Sequence, residues 1–297
     1  MPRKRGALIK MDSIQIKANA KINWLLNITG RTDNGYHLLD MLMQSIELCD
    51  DLCFRKTDET RLYINGECDC RLHENLIYKA IMALEKYTGR KLSAEVEITK
   101  RIPSRAGLGG GSSDCAAALS AINYLYDLRL EKNELERIGL SLGADVPFFF
   151  TQGLCEVQGI GECVRRIEGG KNWPLLIRLV GEGLSTPDIY RRYDLSETQR
   201  KGDSSAAGAE LLKMERFSEL SLKTRNDLED PACEAEPGIK TAEKLFMDHG
   251  ALFSRMSGSG SAVFAVFSTE SEAQRCRLLI PNSIITYTLA GNMPIMT

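Results

Sequence analysis

Residues 103–114 read PSRAGLGGGSSD, and no other stretch restricts the fold of this chain so tightly. Ahead of it, Leu92 to Thr99 alternates apolar and polar side chains with the period of a half-buried strand. Behind it, Cys115, Ala118, Leu119, Ile122, Leu125 and Tyr126 recur at helical spacing and predict a helix from about 112 to 127. Four glycines (Gly107, Gly109, Gly110 and Gly111) therefore occupy a strand-to-helix junction. There they let the backbone take positive φ and approach a ligand closely. The helix start aims unpaired N–H groups and a positive dipole end at that ligand, which suits a polyphosphate. No Lys-Ser/Thr pair follows the glycines, so this is not a Walker A loop. After Gly107 and Gly109 the third position is Ser112, so it is not G-x-G-x-x-G either. Ser112 and Ser113 offer hydroxyls to phosphates or to a metal that phosphates carry. A plain turn with a serine helix cap is the competing reading.

A length of 297 residues suggests two domains, and mixed strand and helix patterns make both α+β. The expected division is 1–170 and 171–297. Residues 13–30 read as two β-rich stretches about a polar centre containing Lys21, with further strands at 44–56, 61–64, 153–157, 162–167, 174–180, 262–267 and 284–289. Helices are expected at 74–87, 133–142, 238–249 and 271–279, and the small polar stretch 196–208 reads as an exposed loop. Lys plus Arg total 38 against 40 Asp plus Glu, a net charge of −2, which argues against a general nucleic-acid binder. No apolar run approaches 18 residues, so no membrane partner is expected. The start, MPRKRGALIK, lacks a secretory core, and its basic cluster reads as a solvated end. Nine scattered cysteines then read as reduced thiols of a cytoplasmic protein. Cys68-x-Cys70, near Cys49, Cys53 and His73, lacks the C-x2-C spacing of common zinc sites, so no metal ligands are assigned to the chain.

Two residues suit proton management. Asp145, two residues before Pro147, is expected at a rigid strand–helix junction, and read alone it is either a turn residue or a general base. Lys21 is either a strand-edge charge or an ammonium held for chemistry. MSGSGS at 256–261 is a second small-residue loop, with a plain hairpin turn as its alternative.

Three segments in order, ANAKIN at 18–23, GLGGGSSDCAA at 107–117 and RMSGSGSAVFA at 255–265, resemble the three motifs of the GHMP kinase superfamily. TGRTDNGYHLLDML at 29–42, GADVPFFF at 143–150 and NDLE at 226–229 resemble its cytidine-using subgroup. The resemblance implies a ribosomal-S5-like N-terminal domain and a ferredoxin-like C-terminal domain with ATP between them. It implies small-molecule substrates, ATP with Mg²⁺ and a cytidine diphosphate polyol, and leaves the oligomeric state open between a monomer and a weak dimer. It makes Lys21 and Asp145 catalytic. Lys100, Pro103, Gly107, Leu108, Gly109, Gly110, Gly111, Ser112 and Ser113 would hold ATP. Tyr36 and Tyr190 would take the two faces of the cytosine and His37 its edge, with Asn23, Thr186 and Asp145 toward the polyol. The family often has Pro where this chain has Asn19, and an aromatic where it has Met43. Asn19 is expected to loosen a turn, and Met43 to remove a ring contact. Another superfamily member, such as a homoserine kinase, and a non-catalytic RNA- or protein-binding module are the alternatives.

Overall fold

The computed structural model describes residues 12–66, 71–196 and 202–291. The basic N-terminal cluster, Cys68-x-Cys70 and residues 197–201 lie outside them.

Strand β1 (Ser13–Arg31) is continuous where two stretches were expected. Its first residues alternate, with Ile14 and Ile16 inward and Ser13, Gln15 and Lys17 outward. From Ala18 to Asn27 every residue is buried, because later chain covers the second face. Register shifts at Asn19/Lys21 and Asn23/Leu25 mark bulges on either side of Lys21. A bulge re-aims side chains without ending the strand, which is how a lysine and two asparagines sit inside an apolar run. Asn19 therefore loosens no turn; its amide donates to the carbonyl of Ile46 at 3.0 Å.

Strand β2 (His37–Lys56) pairs antiparallel with β1 over its length. Its other edge takes β4 (Ala94–Thr99) along Asp51–Lys56 and β5 (Leu154–Gly159) along Leu39–Gln44. Strands β3 (Arg61–Asn65, parallel to β4) and β6 (Cys163–Arg166) complete a six-stranded sheet. Helices α1 (Leu76–Thr88), α2 (Gly110–Leu125) and α3 (Lys132–Leu140) cover it. Helix α2 is buried almost all round, not on one stripe. Its alanines and Cys115 allow α1, α3 and the sheet to approach from different sides.

The second sheet holds β7 (Pro174–Arg178), β8 (Phe253–Met256), β9 (Val263–Val266) and β10 (Ile284–Tyr287) in the order β10-β7-β9-β8, all antiparallel. Between β7 and β8 run α4 (Thr186–Leu195), α5 (Ser205–Lys213), α6 (Phe217–Lys223), α7 (Glu229–Ala235) and α8 (Gly238–Asp248); α9 (Glu270–Leu279) joins β9 to β10. This order is the ferredoxin-like split βαβ arrangement. The two sheets share a core: the Trp24 ring on β1 lies 5.7 Å from Trp173, 5.5 Å from Phe253 and 5.7 Å from Phe264. No described helix is long and apolar enough to cross a membrane.

The loop expected over 196–208 is shorter than the composition suggests. Ser204 caps α5 through the Ala207 N–H, and Ser205, Gly208, Ala209, Leu211 and Leu212 are buried. The Ser205 N–H and hydroxyl both donate to Asp40 on β2, at 2.9 and 2.5 Å. Small residues conceal a helical stripe from a hydrophobicity reading, because Ser and Gly count as polar or neutral while filling tight space.

Candidate active site

Helix α2 starts at Gly110, two residues earlier than expected, because Gly109 at φ +72° takes the capping place. Its first N–H groups have no partners within the helix. They open on a cavity of about 370 Å³ lined by Lys21, Asn23, Ser112, Asp145, Thr186 and Tyr190 beside the glycines. The glycines are required by contact. A Cβ on Gly107 (φ +74°) would stand 2.0 Å from the Ser257 carbonyl oxygen. One on Gly258 (φ +56°) would stand 2.9 Å from the Gly107 oxygen and 3.0 Å from Lys21 Nζ. The small-residue loop at 256–261 is thus nested against the first glycine loop. Ser257 Oγ donates to the Gly107 carbonyl at 3.0 Å, the Ala262 N–H to Ala106 at 3.1 Å, and the Lys21 N–H to Leu108 at 3.0 Å.

Lys21 is 3% exposed, and its Nζ donates to Asn23 Oδ1 at 2.5 Å and lies 3.5 Å from Asp145 Oδ2. Asp145, one-third exposed, occupies the turn between α3 and the short 3-10 turn Pro147–Phe150, not a strand–helix junction. Buried Val146, Phe148 and Phe149 anchor that turn. Burial pulls the Lys21 ammonium below its ordinary 10.5, and the charge and hydrogen bonding of Asp145 offset part of that.

Pro103, Leu108, Gly109, Gly111 and Ser112 face this cavity. Gly110, with Gly111 and Pro103, also faces an adjoining cavity of about 310 Å³ that Lys100 borders. Ser113 is buried, and its N–H closes the helix on the Gly109 carbonyl, so its hydroxyl is not presented to the cavity. Thr186 and Ser259 hydroxyls meet at 2.7 Å. The Tyr190 and His37 rings lie 4.7 Å apart at 33°. His37 Nε2 lies 2.8 Å from Asp194 Oδ1. Tyr36 is 64% exposed in the turn after Thr32 and does not line the cavity. Met43 is fully buried in the core, and Met41 is the methionine on the cavity wall, so the Met43 departure removes no contact there.

Lys100 is not a free cation. Its Nζ lies 2.5 Å from Asp50 Oδ2 and 2.7 Å from Asp114 Oδ2. Asp114 points into this cluster and its Oδ1 is buried without a partner, so it does not serve the cavity as a metal ligand. Burial pushes its carboxyl up to about 7, with Lys100 pulling partly the other way. Folded Asp114 therefore holds its proton more tightly than an ordinary carboxyl. The stability this contributes is complete below 3.8 and is lost as pH rises through about 7. Tm measured from about pH 5 to 8 is expected to fall more steeply in wild type than in Asp114→Asn; parallel curves would refute this. Asp50 and Asp194 carry no sequence signal of their own, since each is marked only by what distant chain brings to it, whereas Ser259 falls inside the small-residue loop at 256–261.

Two family models match the chain, "GHMP kinases N terminal domain" over residues 75–153 and "GHMP kinases C terminal" over 207–278. A 4-diphosphocytidyl-2-C-methyl-D-erythritol kinase of Thermodesulfovibrio yellowstonii is 37% identical over 265 residues, 87% of this chain and 91% of the relative. The chain belongs to the GHMP kinases, in the family of 4-diphosphocytidyl-2-C-methyl-D-erythritol kinases. The Clostridioides difficile enzyme of the same name is 36% identical across 89% of this GHMP kinase and 90% of its own length. A crystal structure of 4-(cytidine 5'-diphospho)-2C-methyl-D-erythritol kinase superposes with a TM-score of 0.78 at 28% identity, covering 94% of this chain and 100% of that one. Homoserine kinase from Cytophaga hutchinsonii shares the fold, with a TM-score of 0.69 at 19% identity over 98% of this chain and 97% of its own. The two-domain α+β fold is that of the GHMP kinases.

Proposed function

We propose that this GHMP kinase transfers the γ-phosphate of ATP to the 2-hydroxyl of 4-diphosphocytidyl-2-C-methyl-D-erythritol, in the non-mevalonate route to isoprenoids. The carrying observation is the Lys21–Asp145 pair, 3.5 Å apart at the mouth of the glycine-loop cavity. Phosphoryl transfer needs an oriented hydroxyl, a place for its proton and positive potential around the moving phosphate. Asp145, open to the cavity, accepts the hydroxyl proton. Lys21, held by Asn23, orients that carboxylate and stabilises negative charge on the attacking oxygen. Backbone N–H groups of Gly109, Gly110, Gly111 and Ser112 hold the phosphates at the start of α2.

Mg²⁺ fits the oxygen donors here: Ser112 Oγ with phosphate oxygens would hold it, water completing its shell. It would neutralise phosphate charge. Lys100 and Pro103 border the neighbouring cavity and serve the nucleotide from there. At the cytidine end, Tyr190 and His37 already pack on each other, and Tyr36 closes over the exposed face of the base. Asn23 and Thr186 meet the polyol phosphate. Domain 1–170 supplies the catalytic pair, and domain 171–297 supplies Thr186, Tyr190 and Ser259. One chain supplies every residue of this site, so a monomer or a weak dimer would work alike. Cytoplasm is the proposed compartment, where buried thiols such as Cys115 and Cys155 stay reduced.

A coupled ADP-release assay tests the reading. ADP formation with 4-diphosphocytidyl-2-C-methyl-D-erythritol and not with homoserine is expected. The reverse preference would replace it with the homoserine kinase reading, which the shared fold alone supports.

A further inference from the structure

The NDLE segment takes no part in the mechanism above, yet its first residue joins the two halves of the site. Asn226 is 2% exposed. Its Nδ2 donates to the carbonyls of Met256 at 3.1 Å and Gly258 at 2.7 Å, while Oδ1 accepts from the Leu228 N–H at 3.1 Å. The amide orientation is fixed by chemistry, since two carbonyls require a donor and one N–H requires an acceptor. On either side, main chain ties the segment to β1: the Leu26 N–H donates to Arg225 at 2.9 Å and the Asp227 N–H to Leu26 at 2.8 Å. Asn226 thus rides on the strand that carries Lys21 and grips the turn that carries Gly258. That turn reaches Lys21 Nζ so closely that a Cβ on Gly258 would lie 3.0 Å from it. Two residues further on, the chain supplies Leu228 to the cavity wall, and the gripped turn supplies Gly258 and Ser259.

We infer that Asn226 is a positioning residue for phosphoryl transfer: its amide clasps the second glycine turn and thereby sets where the Lys21 ammonium stands relative to Asp145. The inference rests on the proposed roles of Lys21 and Asp145. Asn226 is buried behind the cavity wall and does not line the cavity, so its effect belongs in turnover and not in binding. Small displacements of a catalytic group cost rate steeply even when binding is intact.

The near-isosteric Asn226→Asp replaces the Nδ2 amino group, which makes both donations, with one acceptor oxygen facing two carbonyls. Its kcat per folded molecule is expected to fall about tenfold or more, with KM for ATP and for the polyol within about threefold of wild type. Protonation returns one donor, so the deficit should narrow as pH falls, a trend absent from wild type. Asn226→Ser keeps one short donor and should lie between the two. If circular dichroism shows Asn226→Asp to be unfolded, Asn226→Ser carries the test through the same ratio. Wild-type kcat per folded molecule in the folded variants, even with a lowered Tm, would overturn the inference and leave Asn226 a structural residue. A wild type no faster than Asp145→Asn would instead overturn the kinase reading beneath it.

Discussion

Asp145→Asn is expected to lower kcat about 100-fold or more, the low end for loss of a general acid–base group, while the protein stays folded. The carboxylate is one-third exposed and its turn is anchored by Val146, Phe148 and Phe149, so the side-chain change leaves the packing intact. Asn cannot take the hydroxyl proton, and it also removes the anion 3.5 Å from Lys21. Lys21→Ala should cost as much, because it strips positive charge from the attacking oxygen. The pH profile gives an independent check. Burial holds the Lys21 ammonium below 10.5, so the charged form disappears earlier than in a free lysine as pH rises. The alkaline limb of kcat should therefore fall below 10.5, and it should shift further down in Asp145→Asn, where the charge that raises the Lys21 pKa is gone. Turnover of Asp145→Asn within about threefold of wild type would remove Asp145 from the chemistry.

Gly107→Ala is expected to destabilise the protein by more than ~3 kcal/mol and to abolish turnover. Two penalties coincide. At φ +74° an L side chain is strained, and the new methyl would stand 2.0 Å from the Ser257 oxygen and 3.0 Å from the Gly260 nitrogen. Both are backbone atoms, so neither can rotate away, and the two glycine turns must part. Gly35→Ala is the control. It has φ +84° but nothing within 4 Å of its would-be Cβ, so it should cost only the strain, about 1–2 kcal/mol. Denaturation midpoints of the two variants measure the difference; equal shifts would mean that the nested turns contribute nothing.

Where side chains repeat with a clear period, the elements were legible. Leu76 to Tyr87, Leu92 to Thr99 and the residues after Gly111 were each readable as helix or strand, because burial on one side imprints a period on the chain. The glycine loop was legible for a related reason: only glycine tolerates those backbone angles and contacts. The start of helix α5 was not, since its buried residues there are Ser205, Gly208 and Ala209, ahead of Leu211 and Leu212, and the helix packs against β1 and β2. Asp145 was readable as important, but Pro147 stiffens a turn and a strand junction alike, so the sequence does not distinguish the turn that the structure shows.

Residue types and local spacing, acting over a few turns of chain, were enough to determine the strand–glycine–helix unit, the mixed α+β class and a small set of candidate residues. Partnership was decided by tertiary structure alone. It gave Lys21 to Asp145 and Asn23, tied Lys100 to Asp50 and Asp114, turned Ser113 inward, and locked Asn226 onto Met256 and Gly258. A charge or an amide has no periodic signature, and its role depends on which distant groups the packing of two sheets brings within hydrogen-bonding distance.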